Sequence, residues 1–153
     1  MHLAQLNIAV PKYDLDDPRI ADFMNNIYRI NSAAERMEGF VWRFADDSGG
    51  ATETVGPWGP GPIINMSVWE TPEHLENFVW NTLHKRIYQR KHEWFDAMRS
   101  HHFVMWWVDD GYRPTLNEAK DRLDYLNVHG NSDHAFDWAH LPHVKLWQSQ
   151  RCG

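Results

Sequence analysis

The sequence predicts one α+β domain in the order β-α-β-β-α-β, followed by an extra helix. Three observations carry this. Three short segments alternate in strand fashion and a fourth is a short apolar run, two longer ones repeat apolar residues at helical spacing, and Pro, Gly and capping residues mark the joins. The chain has 153 residues, 42% hydrophobic and 24% charged, which suits one globular core.

The first strand is predicted at Leu3 to Val10, with Ala4, Leu6, Ile8 and Val10 on one face and Gln5 and Asn7 on the other. Pro11 ends it. Asp17 as N-cap and Pro18 at the first helical position open a helix whose stripe is Ile20, Phe23, Met24, Ile27 and Ile30. Asn31-Ser32 is expected to interrupt it, with Ser32 and Glu35 capping a short continuation that ends at Gly39. The second strand is Phe40 to Phe44. Its Phe40, Trp42 and Phe44 side is expected to meet the helices, leaving Val41 and Arg43 on the other. A Gly/Pro-rich loop, Asp46 to Pro62, is too long for a tight turn. Its Trp58 suits a lid or an arm anchored on a partner; no Lys-Ser/Thr follows its glycines, so it is not a P-loop. The third strand is Ile63 to Trp69.

Thr71 and Pro72 begin the second helical region, with Leu75, Phe78, Val79, Leu83 and Ile87 as its stripe and a break expected near Asn81 to His84. The fourth strand, Phe103 to Val108, is apolar on both faces and calls for cover on both. Thr115 and Glu118 form a capping box for a further helix over about 115–129, which Gly130 stops. The tail, 131–153, shows no period. No repeat or linker divides the chain, so 1–153 reads as one domain. Strand-helix-strand, hairpin, helix-strand is the ferredoxin-like order, a four-stranded antiparallel sheet with helices on one face. The other face then needs the extra helix, the tail or a second subunit. Nine Trp, seven Phe and five Tyr favour a homodimer or an aromatic-walled pocket.

The net charge is −6 with scattered basic residues, which argues against a nucleic-acid partner and gives no sign of membrane attraction. Cys152 is the one cysteine, so no internal disulfide and no Cys-based metal site is expected. The N-terminal segment alternates like a strand rather than a signal peptide, and a cytoplasmic setting is the expectation. His134, His140 and His143 are too loosely spaced for a recognisable metal site, His101 and His102 point to opposite sides of a strand, and Asp109-Asp110 reads as a turn. No metal is expected.

Gln5, Asn7, Arg43, Asn65 and Ser67 converge on one sheet surface if the strands pair in this order. That surface is either a polar lining facing solvent or a partner, or a cavity where Asn7, Asn65 and the guanidinium fork of Arg43 orient a ligand oxygen. His84, at the expected helix break, can accept a proton near neutral pH; Tyr88 flanks the same stripe.

Gly39-Phe40-Val41-Trp42-Arg43, Val68-Trp69-Glu70, His84 through Trp94-Phe95, and Trp106-Trp107-Val108 through Arg113-Pro114-Thr115 resemble the dimeric α+β barrel superfamily. That superfamily includes antibiotic-biosynthesis and haem-degrading monooxygenases, and the closer likeness is to a bacterial family within it that has no assigned activity. The match covers roughly Leu3 to Trp138. The resemblance implies a dimeric barrel and a cofactor-independent monooxygenase-like enzyme acting on a small aromatic or polyketide-like molecule. His84 would be its base, Arg43, Asn7 and Asn65 its oxyanion holders, and Trp42, Trp69 and Trp106 its dry walls. Haem-degrading relatives use a first-strand Asn, which Asn7 matches, and a Trp in the second helical region, which Trp80 matches; neither His84 nor His92 stands at their Trp-to-His spacing. Haem or porphyrin binding is thus the alternative, and a non-catalytic ligand-binding dimer is the third reading.

Overall fold

The computed structural model describes residues 1–45, 55–81, 89–96 and 101–144, apart from the side chain of Tyr28. Its elements are β1 (His2–Ala9), α1 (Ala21–Glu35), β2 (Phe40–Arg43), β3 (Ile63–Trp69), α2 (Pro72–Asn81), the single turn α3 (Lys91–Trp94), β4 (Phe103–Val108) and α4 (Leu116–His129). The four strands form one antiparallel sheet in the order β2-β3-β1-β4, which is the ferredoxin-like arrangement.

Local chemistry accounts for the helix ends. Asp17 accepts the Arg19 N–H at 2.8 Å and opens a 3-10 turn, Pro18–Ile20, that runs into α1. Thr115 accepts the Glu118 N–H at 3.1 Å, and Gly130 closes α4 with φ of 75°. After α1, Gly39 adopts φ of 86°, and a Cβ there would collide with the His74 ring, so glycine is required on both counts.

Both faces of the sheet are covered within one chain. α4 packs over Ala4, Leu6, Val104 and Trp106. α1 and α2 pack on the opposite face, over Leu3, Trp69 and Met105. The first two helices therefore lie over the side that carries Gln5 and Asn7, not over the Ala4-Leu6-Ile8 side.

Two local expectations are corrected. α1 runs unbroken through Asn31 and Ser32, because its buried stripe continues from Ile30 to Ala34 and packing overrides two weak helix formers. Phe40 and Trp42 do not share a face. The pairing with β3 shifts between them, Phe40 standing opposite Trp69 and Trp42 opposite Val68. That bulge sends Phe40 into the α1/α2 side and Trp42 into the α4 side. Residues 131–144 of the tail have no regular period, yet they are integral. Phe136 bridges Met105 by two backbone hydrogen bonds of 2.8 and 3.0 Å, and Phe136, Leu141 and Val144 are buried. No helix among the described residues is long and apolar enough to cross a membrane.

Candidate functional site

The sheet face beneath α1 and α2 is not uniformly apolar. One cluster joins Leu3, Trp69, Met105 and Phe78; a separate one joins Ile63, Ile20, Phe23 and Trp94. Between them the strands turn polar. Along β3 this side reads Ile63, Asn65, Ser67, Trp69, and along β1 it reads Leu3, Gln5, Asn7, because alternate residues share a face. The register sets Gln5 opposite Ser67 and Asn7 opposite Asn65, and places Arg43 beside Ser67 from the other flank. The polar band is thus two residues long on two adjacent strands, about 7 Å by about 5 Å.

Hydrogen bonds fix most of this band. Gln5 Nε2 donates to Asn65 Oδ1 and to Ser67 Oγ, each at 2.8 Å. The Trp69 indole N–H donates to the same Ser67 oxygen at 2.9 Å. Trp69 is in turn stacked on Phe78 at 5.3 Å between ring centroids and meets the edge of Phe40 at 5.6 Å. Arg43 Nε donates to Glu35 Oε1 at 2.7 Å, so the guanidinium at the border of the band carries its own counter-charge. Asn7 differs. Its Oδ1 is buried and accepts no hydrogen bond, a cost of about 1–3 kcal/mol for a carboxamide oxygen removed from water.

The helices above contribute polar groups of their own. Asn31 is buried on α1, one turn beyond Ile27 and one turn before Glu35. Glu76 and Trp80, four residues apart, are both buried on α2. Gln5, Asn31, Ser67 and Glu76 are the buried polar residues among those described, and all four stand on elements that bound this one layer.

The model of the family described as a domain of unknown function (DUF3291) matches residues 2–152. The chain belongs to this family. Among solved structures similar to this DUF3291 protein is a crystal structure from Chloroflexus aurantiacus J-10-fl that bears the provisional name of an antibiotic biosynthesis monooxygenase. The identity is 18% and the TM-score 0.43, over 74% of this chain and 98% of that one. No curated protein matches the chain.

Of the side chains singled out in the DUF3291 sequence, the structure brings Asn7, Asn65, Arg43 and Trp69 to one surface. Trp80 is buried in the helix layer above it. Trp42 and Trp106 lie on the opposite face: Trp106 is fully buried under α4, its indole N–H donating to Glu118 Oε2 at 2.8 Å. They do not line the same surface as Asn7. His84 and Tyr88 lie outside the described residues. Haem would need an axial nitrogen. The strand residues that face α1 and α2 include no histidine that could serve as that ligand, and His84 is outside the described residues. Asn31 and Glu76 escaped the sequence reading. Asn31 read as a helix break, and Glu76 was not singled out. The available signal was a polar residue one turn from apolar neighbours on both sides, Ile27 and Ala34 for Asn31, Pro72 and Trp80 for Glu76.

Proposed function

We propose that this DUF3291 protein binds a small aromatic molecule in the layer between the sheet and the α1/α2 pair, and that it acts on it as a cofactor-independent, monooxygenase-like enzyme. The observation that carries this reading is the polar band itself. A stable core has no use for a strip of carboxamides and a hydroxyl dividing two apolar clusters, with one acceptor oxygen left without a donor. Asn7 and Asn65 hold the polar edge of the ligand. Trp69, braced by Phe78 and by its bond to Ser67, supplies a rigid apolar wall, and Trp80 lies above. In such a site a substrate C–H or O–H acidified by conjugation loses its proton to a base, and the resulting carbanion or phenolate passes an electron to dioxygen. His84, in the segment that follows α2, is the proposed base.

We take the working unit to be a homodimer. Val41, Trp42, Phe44 and Trp58 are only partly buried on the α4 side of the sheet, and α4 itself packs against β4, so this side is where a second copy fits. Light scattering at micromolar concentration reads the mass directly; a monomer would count against this part.

The enzymatic reading is tested by oxygen uptake with purified protein and a panel of anthrone-type and quinol substrates under air, with Asn7→Leu as the control. Turnover by the parent and its loss in the variant is the expected result. Oxygen uptake equal in both proteins would show that the Asn7 layer is not the site.

A further inference from the structure

The hydrogen-bonding state of the band restricts what can bind there. Taking the proposed binding layer as given, we infer that its ligand enters as a neutral, planar molecule carrying an N–H or O–H donor directly beside a carbonyl acceptor, as in a lactam or a vinylogous acid, and not as a carboxylate.

Each member of the band contributes to this inference. Gln5 spends its Nε2 on Asn65 and Ser67. Ser67 Oγ already accepts two hydrogen bonds, from Gln5 and Trp69. Asn65 is exposed and its oxygen is taken by Gln5, so what it has left to offer is the donor end of its amide. Asn7 stands directly opposite Asn65, and its Oδ1 is buried with no donor pointed at it. A donor that arrives with the ligand satisfies a buried acceptor of this kind. A carboxamide sets its acceptor and its donor side by side in one plane, the same geometry by which Asn reads adjacent donor and acceptor atoms on adenine. The matching ligand edge is therefore a donor next to an acceptor. Asn65, across the strand pair, adds a further donor for the same carbonyl.

Charge decides against an anion. Arg43 is the cation that borders the band, and Glu35 pairs with it at 2.7 Å. An anionic ligand would have to be desolvated beside a guanidinium whose charge is already balanced. A carboxylate ligand would also bring two more acceptors to a band whose unmet need, at Asn7, is for a donor.

Three probes of nearly equal size separate the alternatives in calorimetric titration of the full chain. They are 2-quinolone (lactam N–H beside C=O), N-methyl-2-quinolone (the donor removed) and quinoline-2-carboxylate (the anion). The expected result is that 2-quinolone binds about tenfold or more tightly than either relative, the penalty for leaving a buried acceptor unpaired. In Asn7→Leu the preference for 2-quinolone over its N-methyl form should vanish, while Arg43→Met should keep it. If the carboxylate binds best, or the N-methyl form binds as well as the lactam, the ligand class is wrong while the binding layer survives. If none of the three binds, and Asn7→Leu leaves the protein no more stable than the parent, then the layer is not a ligand site and both readings fall.

Discussion

Arg43 and Glu35 are joined across the gap between β2 and the last turn of α1, Nε to Oε1 at 2.7 Å, with Arg43 mostly shielded and Glu35 half exposed. The pair ties an edge strand to the helix that roofs the polar band. It makes Arg43 a structural strut beside the polar band rather than a free cation within it.

Replacing Arg43 with Met should therefore cost about 1 kcal/mol of stability, and a double-mutant cycle with Glu35→Gln should return a coupling below about 1 kcal/mol, as for other partly exposed pairs. Binding of a neutral ligand should weaken less than about threefold, under about 0.7 kcal/mol. Urea titrations of the four proteins measure the first quantity and calorimetry the second. A loss of binding far beyond the loss of stability would put the guanidinium in contact with the ligand.

Asn7→Leu should raise stability by about 1 kcal/mol, since it removes a buried acceptor that no protein group satisfies. The same variant should lose ligand binding. Stability gained where function is lost marks a group kept for a ligand. A fall in the urea midpoint would mean that Asn7 supports the fold after all.

Gly39→Ala should destabilise by about 3 kcal/mol. A side chain at φ of 86° is strained, and the added Cβ runs into His74. His74 cannot swing away cheaply, because Thr71 Oγ1 lies 2.8 Å from its Nδ1. Adding His74→Ala should recover only a minor part of the loss, since the His74 Cβ itself would lie 2.5 Å from the added Cβ and the strain at φ of 86° remains; thermal melts of the single and double variants will show it.

The two tryptophans of the α4 side should differ. Trp106, fully buried and bonded to Glu118, should cost about 3–5 kcal/mol on replacement by Ala. Trp42, partly exposed at the bulge, should cost only about 2 kcal/mol. Equal losses would show that Trp42 is covered by something else in solution, and a second copy is the candidate.

Acid should weaken the fold through His102. Burial pushes its imidazole below the ordinary value of 6.5, with the charges of Lys91 and His101 acting in the same direction. The unfolded chain thus takes up that proton first as the pH falls. The contribution is fully present above about pH 6.5 and is lost on acidification through the lowered value. Melting temperatures from about pH 7.5 to about pH 5.5 should fall, and His102→Gln should flatten part of the slope. His134, lowered by burial and then by Arg122, acts with the same sign, so the slope will not vanish in the single variant. An unchanged slope would remove His102 from the account.

Much of this fold was legible because its strands obey a strict period of two and its caps are strong. β3 and β4 fall on the predicted residues, and Thr115 and Gly130 bound α4 as read. What failed did so for one physical reason: packing decides where local signals are even. The alternation of Phe40, Trp42 and Phe44 looks like one face until a bulge, which leaves no mark in five residues of sequence, turns Phe40 away from Trp42. Asn31 looks like a helix stop until the stripe from Ile27 to Ala34 is seen to need it in line. The polar band was visible as the alternation of Gln5, Asn7, Asn65 and Ser67. Which helices lay over it was not, because a strand apolar on both sides does not say which side the first helix takes. The tail was unreadable since Phe136 meets Met105 in a single bridge, and one bridge has no period.

The Phe136–Met105 bridge also governs how the sheet can grow. On β4 the residues whose backbone groups point away from β1 are Phe103, Met105 and Trp107, and the middle one of these is occupied by the chain's own tail. The opposite edge, β2, is four residues long and bulged. A bare edge is a template for adding strands from other molecules, and short length, bulges and self-pairing are the devices that spoil it. Both margins of this sheet are spoiled, each in its own way. Edge-to-edge growth of the sheet is therefore disfavoured at both margins.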